Sequence, residues 1–329
     1  MTSRFHAPVH VVGSGLRRAC FAQVMVLRMV LVLVLGLSLS LSLVLPAASA
    51  LAAQPAAAAE PQALLTLLDG EATLIVGSRA YAAAPGARLG AGVLVETDAK
   101  TNLLRLEWPD GAVLDLGPAT RVMLRPPPAA GTRGAPKPLV YLLQGWAKQS
   151  QTASAPGQLS TAFDVQSING VLVSQIDGAT AVLFSESGDK QLSARRNSAP
   201  LALRAGQAAV VGSDGVAQVQ ARPPAGWLQR IPRAFRDTLP PRAAQFKSPP
   251  PALKARAALS YAALQPWLSA EPAVRRSFVS RFAELLRDRE FRSSVDRHLA
   301  QHPEWEGALR PPRKPRPVPD ASTDPEPTR

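Results

Sequence analysis

The amino-acid sequence predicts a mainly β protein, as an antiparallel β-sandwich, a jelly roll or a short β-solenoid, followed by a small α-helical unit. Three observations point there. Five Asx-Gly dipeptides, Asp69-Gly70, Asp110-Gly111, Asn169-Gly170, Asp177-Gly178 and Asp214-Gly215, punctuate residues 64–221, and Asx-Gly between apolar runs is the strongest short-range hairpin signal. The runs between them alternate with a period of two. From Ala252 the composition turns to helix formers, and apolar residues recur at helical spacing.

In Leu104-Arg105-Leu106-Glu107-Trp108, apolar side chains alternate with charged ones. The alternation places Leu104, Leu106 and Trp108 on a buried face and Arg105 and Glu107 in water. After Asp110-Gly111 the partner strand turns Ala112, Leu114 and Leu116 one way and Val113 and Asp115 the other. Val122 with Leu124, Phe163 with Val165, and Val182 with Phe184 are shorter pairs of the same kind. Each Asx-Gly is expected to form a type I′ turn, with positive φ at both central residues. The segment from Pro126 to Pro138 reads as an exposed insertion rich in Pro, Gly and Ala.

Residues 222–251 carry many prolines among Trp227, Ile231, Phe235 and Phe246, so they form either a linker or an extended strap across the β domain. Residues 252–309 read as a basic helical unit. Its first helix ends near Pro266-Trp267, and its second starts at Glu271-Pro272, with Pro in the first turn and an acid at the positive end. Val274, Phe278, Phe282 and Leu285, then Phe291, Val295 and Leu299, give it an apolar stripe. Residues 310–329 are too proline-rich and charged to order on their own.

An apolar run from Met29 to Leu45, interleaved with serines, leads to Pro46 and then to Ala48-Ser49-Ala50 and Leu51-Ala52-Ala53. This is the pattern of a secretory signal occupying residues 1–53, cleaved after Ala50 or Ala53, with 54–63 as a linker. The competing outcome is an uncleaved anchor in the inner membrane, because a 17-residue run sits at the short edge of a spanning helix. The expected location is the periplasm, with membrane contact only through that segment if it stays.

The scarce chemistry-bearing residues limit what the exported chain can catalyse. Cys20, the one cysteine, precedes the cleavage sites, so disulfides and thiolate chemistry are excluded after processing. His298 and His302 are the only histidines beyond the signal; four apart in a helical stretch, they read as a solvated surface pair and not as metal ligands. Asp110 and Asp115 lie close across a turn, but Asp110 is already explained by the turn itself. No catalytic residue, cofactor or metal is expected.

The formal charge of +13 is unevenly spread. Residues 54–221 hold 13 basic and 13 acidic residues, whereas 222–329 hold 20 and 11. The basic character therefore belongs to the C-terminal third. Arg275, Arg276, Arg281, Arg287 and Arg292 are its candidate contacts to an anion or a partner, either an envelope protein or an anionic envelope component. Export and a neutral β block argue against a nucleic acid.

Four stretches resemble the FecR domain: Leu68-Asp69-Gly70-Glu71-Ala72, Pro85-Gly86-Ala87-Arg88-Leu89-Gly90, Val95-Glu96-Thr97, and Trp108-Pro109-Asp110-Gly111-Ala112-Val113-Leu114-Asp115-Leu116-Gly117. Leu143-Gln144-Gly145, Phe163-Asp164-Val165 and Leu203-Arg204-Ala205-Gly206-Gln207 are similar to the elements of that family's second half. The chain departs from the family pattern at Gln166-Ser167-Ile168-Asn169-Gly170, where members carry Thr-Pro and Arg-Gly-Thr. The resemblance implies an exported, non-enzymatic domain acting by binding in a bacterial envelope. Its alternative is a membrane-anchored regulator passing an envelope signal to a sigma factor, against which stand the roughly 28 residues before the apolar run. A periplasmic enzyme is the second alternative.

Overall fold

The computed structural model describes residues 61–126, 138–194, 196–197 and 199–311. The signal segment, most of the proline-rich insertion and the tail from residue 312 lie outside them. Among the described residues, no helix is long and apolar enough to cross a membrane.

The described strands form one antiparallel sheet folded into two layers. The first layer runs β4 (Arg88–Leu89), β1 (Ala63–Asp69), β6 (Leu103–Glu107), β7 (Val113–Leu116), the middle of β9 (Val140–Ser160), the second half of β10 (Phe163–Asp177), β11 (Thr180–Ser187), β14 (Ala208–Val211) and β15 (Ala217–Gln220). The second runs β3 (Arg79–Ala82), β2 (Ala72–Val76), β5 (Leu94–Thr97), β8 (Arg121–Leu124) and the start of β9. It continues through the end of β9 and the start of β10 to β12 (Lys190–Ala194) and β13 (Leu201–Leu203). Leu65, Leu104, Leu106, Leu114, Leu116 and Leu183 from one layer meet Leu74, Val95, Val122, Leu142, Val165 and Leu192 from the other in a common core. The architecture is a β-sandwich: the alternation read from sequence sets the inward faces of β6, β7, β8 and β10, whereas in β11 Ala181 and Leu183 face inward and the expected pair Val182 and Phe184 lies on the outer face.

The two long strands join the layers. Gly145 marks the point where β9 leaves β8 and pairs instead with β10. Its φ is +89°, and a Cβ there would sit 2.5 Å from Thr120 Cα. Only glycine permits both that conformation and that approach.

The Asx-Gly sites form turns of other kinds than expected, and two form no hairpin. Asp110-Gly111 and Asp214-Gly215 close three-residue loops in which the glycine alone has positive φ, +85° and +78°. In each, the aspartate accepts a hydrogen bond from the amide two residues on, Ala112 N at 3.1 Å and Val216 N at 3.0 Å. That local bond, with the glycine accepting the left-handed position, gives a type I turn followed by a bulge. Asp177-Gly178 makes a two-residue hairpin with positive φ at Gly178 alone, as in type II′. Asp69-Gly70 is a corner between β1 and β2, which do not pair. Asn169-Gly170 is an irregularity inside β10, where its register to β9 shifts.

Lys190 holds that irregularity in place. Its side chain is buried, and Nζ donates to the carbonyls of Asn169 (2.8 Å), Ser187 (2.6 Å) and Gly188 (2.9 Å) and to Ser185 Oγ (3.1 Å). Burial lowers its pKa to about 8. The unfolded chain therefore binds the proton more tightly, and stability is expected to rise as pH increases from about 8 to about 10.5. The gain should be on the order of 3 kcal/mol. Urea midpoints across that window, compared with Lys190→Met, check it; an equal alkaline rise in the variant would assign the effect elsewhere.

Arg105 and Glu107 are not in water, and Asp115 is not either. Their exposures are 4%, 4% and 2%. The outer face of the first layer is covered by residues 222–251, which form the strap and not a free linker. Trp227, Ile231 and Phe235 pack there against Leu103, Trp146 and Val173, with Val182 and Phe184 partly buried beside them. The strap is not extended throughout: it contains one helical turn, α1 (Trp227–Arg230), and two 3-10 turns. Phe246 is half-buried.

The outer face of the second layer is covered by the C-terminal helices. Residues 252–260 are not helical. Lys254–Arg256 run beside the edge of β3, with Ala82 N donating to Lys254 O (2.8 Å) and Arg256 N to Ala80 O (2.8 Å). The first full helix, α2 (Tyr261–Leu268), starts where Ser260 Oγ accepts from Ala263 N, and it contains Pro266. α3 (Pro272–Phe282) begins at Glu271-Pro272 as the sequence indicates. α4 (Arg289–Arg297) is capped by Asp288, whose carboxylate accepts from Phe291 N at 2.7 Å. Trp267, Phe278, Phe282, Phe291, Val295 and Trp305 share a core with Ile75, Leu94, Met123 and Tyr141 of the sandwich.

Candidate interaction surface

The five arginines singled out in the helices have different placements. Arg281 Nε donates to Gly77 O (2.7 Å), Nη1 to Gly92 O (2.5 Å) and Nη2 to Ile75 O (2.6 Å). Its guanidinium lies 5.1 Å from the centre of the Phe282 ring, and burial lowers its pKa to about 10. It fastens α3 to the loops after β2 and before β5. Arg275 is ion-paired with Glu304 at 2.9 Å and donates to Gln301 O. Arg292 donates to Leu309 O at 2.7 Å. Arg276 and Arg287 are exposed.

The helices are not the basic part of the molecule. Residues 261–309 contain seven arginines and seven acids. The strap is the basic part: residues 222–251 hold Arg222, Arg230, Arg233, Arg236, Arg242 and Lys247 against Asp237 alone. All but Arg242 of those cations are exposed. The strap's inward residues explain the arrangement. Trp227, Ile231 and Phe235 recur every fourth position and are 0%, 8% and 0% exposed, so Leu228, Arg230, Arg233 and Arg236 are turned outward.

The inward side is fixed by specific bonds. Trp227 Nε1 donates to Gln175 Oε1 (2.7 Å), and its ring lies 5.4 Å from that of Trp146. Lys148 Nζ donates to Phe235 O (2.5 Å). Further along, Arg105 forms a two-bond pair with Asp115 (2.7 and 2.8 Å) and donates to Leu239 O (3.0 Å). Glu107 accepts from Thr66 Oγ1 (2.8 Å), Arg242 N (3.0 Å) and Ala243 N (2.9 Å). Burial alone would lower the Arg105 pKa. The hydrogen bonds to Asp115, with the charges of Asp115 and Glu107, outweigh it and hold the pKa above its usual value.

On the outward side Leu228 is 46% exposed; it and Val76 are the exposed large apolar side chains among the described residues. Arg236 Nη2 donates to the carbonyls of Leu228 and Gln229, both at 3.1 Å, which sets a guanidinium beside the leucine.

Other candidate chemistry is internally satisfied or buried. A cleft of about 310 Å³ is lined by Glu71, Glu96, Asp98, Arg121 and Arg256. There Glu96 pairs with Arg121 (3.4 Å) and accepts from Trp267 Nε1 (2.6 Å), while Glu71 pairs with Arg256 (3.2 Å). His298 and His302 do not form a solvated pair. α4 ends at Arg297, and two 3-10 turns fold the chain back so that His302 is 1% exposed. The ring of His298 stacks on Tyr261 at 5.0 Å, with His302 5.9 Å away on the same tyrosine. Burial lowers the His302 pKa. Among the described residues, no group of His, Cys, Asp and Glu is arranged to hold a metal ion.

No family model matches the sequence, and no curated protein does. Among solved structures, the chain is similar to two crystal structures from Parabacteroides distasonis, each described as a putative anti-sigma factor. Both are 14% identical to it, with TM-scores of 0.34 and 0.32. The likeness covers 42% of this chain in both cases, and 64% and 65% of those chains.

Proposed function

We propose that this chain is an exported, FecR-like binding protein of the bacterial envelope that engages an anionic partner without catalysing a reaction. The observation that carries the reading is the strap. It presents five exposed cations on one segment and is fastened to the sandwich by buried aromatic residues and by Glu107 and Arg105. Such a surface attracts anions over a distance set by salt. The motifs quoted above and the apolar run followed by Ala48-Ser49-Ala50 support the family and the export.

Isolated envelopes should retain the protein at low salt and release it as the Debye length falls from about 10 Å to about 3 Å. Arg230→Gln/Arg233→Gln/Arg236→Gln should be released at lower salt than the wild type, and the retained protein should begin at Leu51 or Gln54. Equal retention of both proteins at every salt concentration overturns the reading.

A further inference from the structure

We propose that the outward face of the strap docks on an acidic phospholipid bilayer, with Leu228 entering the headgroup layer among Arg222, Arg230, Arg233 and Arg236. The proposal rests on the envelope-binding reading and names its partner. Residues 222–236 hold these four arginines and no acid, and all four are exposed. The apolar member of the face is Leu228, at 46% exposure, and the guanidinium of Arg236 is anchored to its carbonyl.

A soluble polyanion would reward the arginines but gains nothing from an exposed leucine. An anionic bilayer rewards both, because the headgroup layer attracts cations while the region just beneath accepts apolar groups. The face is also preorganised. Trp227, Ile231 and Phe235 hold its backbone from below, so docking orders little chain that is not already ordered.

The test is sedimentation of the chain from residue 54 with vesicles of phosphatidylglycerol and phosphatidylethanolamine. Phosphatidylcholine vesicles and inorganic polyphosphate are the comparators. Binding is expected only to the anionic vesicles, weakening as salt rises. Each cation near an anionic surface is worth about fivefold in partition, so Arg230→Gln/Arg233→Gln/Arg236→Gln should lose about a hundredfold. Leu228→Gln should lose several-fold while keeping the salt dependence of the wild type. Near-ultraviolet circular dichroism verifies that both variants are folded.

If anionic vesicles fail to bind while envelopes still retain the protein, the lipid assignment is overturned and the envelope reading stands. If Leu228→Gln binds vesicles as tightly as wild type, and polyphosphate binds equally well, the face is a general polyanion site and the lipid assignment again falls. Loss of envelope retention as well would remove both.

Discussion

Arg105→Ala is expected to destabilise the protein by about 3–5 kcal/mol, seen as a lower urea midpoint at unchanged slope. The guanidinium is one half of a buried pair. Its removal leaves the Asp115 carboxylate at 2% exposure without its cation and the Leu239 carbonyl without its donor. A stranded buried charge costs more than the pair contributed, because desolvation is no longer offset. The double replacement Arg105→Met/Asp115→Leu should recover most of the loss, since neither side chain then carries a charge. A midpoint for Arg105→Ala within about 0.5 kcal/mol of wild type, as for an ordinary surface position, would show that the strap does not close over β6.

Trp267→Ala should cost about 3–5 kcal/mol, the range for deleting a fully buried aromatic side chain. The ring is 0% exposed, lies edge-on to Phe278 at 6.1 Å, and donates from Nε1 to Glu96 of β5 at 2.6 Å. It is therefore a joint between the helices and the second layer. Because the helical aromatics share a core with Ile75, Leu94, Met123 and Tyr141, helices and sandwich should unfold in one transition at a lower midpoint. Trp267→Phe keeps most of the volume and loses the hydrogen bond, so it should cost about 1–2 kcal/mol. Two separate transitions, with that of the sandwich unmoved, would make the helices a dispensable appendage.

Much of the inner architecture was legible in the sequence because its causes are local. Period-two alternation decides which face of a strand is apolar, and Leu104, Leu106, Trp108, Leu114 and Leu116 do line the core between the layers. Glu271-Pro272 starts a helix for reasons contained in its first turn. Asx-Gly marked a change of direction at four of its five sites, with Asn169-Gly170 lying inside β10, and it did not give the turn type. At Asp110 and Asp214 the side chain bonds the amide two residues on, which favours a type I turn and leaves positive φ to glycine alone.

The candidate surface was only half legible. The excess of basic residues after Arg222 is visible in the sequence, but helical periodicity points to the helices as its carrier, and there arginines and acids balance. Separating Arg281, which bonds carbonyls some two hundred positions earlier in the chain, from Arg233, which faces solvent, requires knowing what packs against each.

Sequence alone thus determined the inward faces of β6 and β7, the start of α3 and the presence of a basic, proline-interrupted segment. Tertiary structure alone decided that both outer faces are covered, and with that the fate of Arg105, Glu107 and Asp115. Alternating charged and apolar residues say that one face of a strand is polar; they do not say whether that face is wet. Glu107 receives its partners from Arg242 and Ala243, some 135 positions away. A contact of that separation leaves no periodic trace, because it arises from the chain returning over a sheet that is already built.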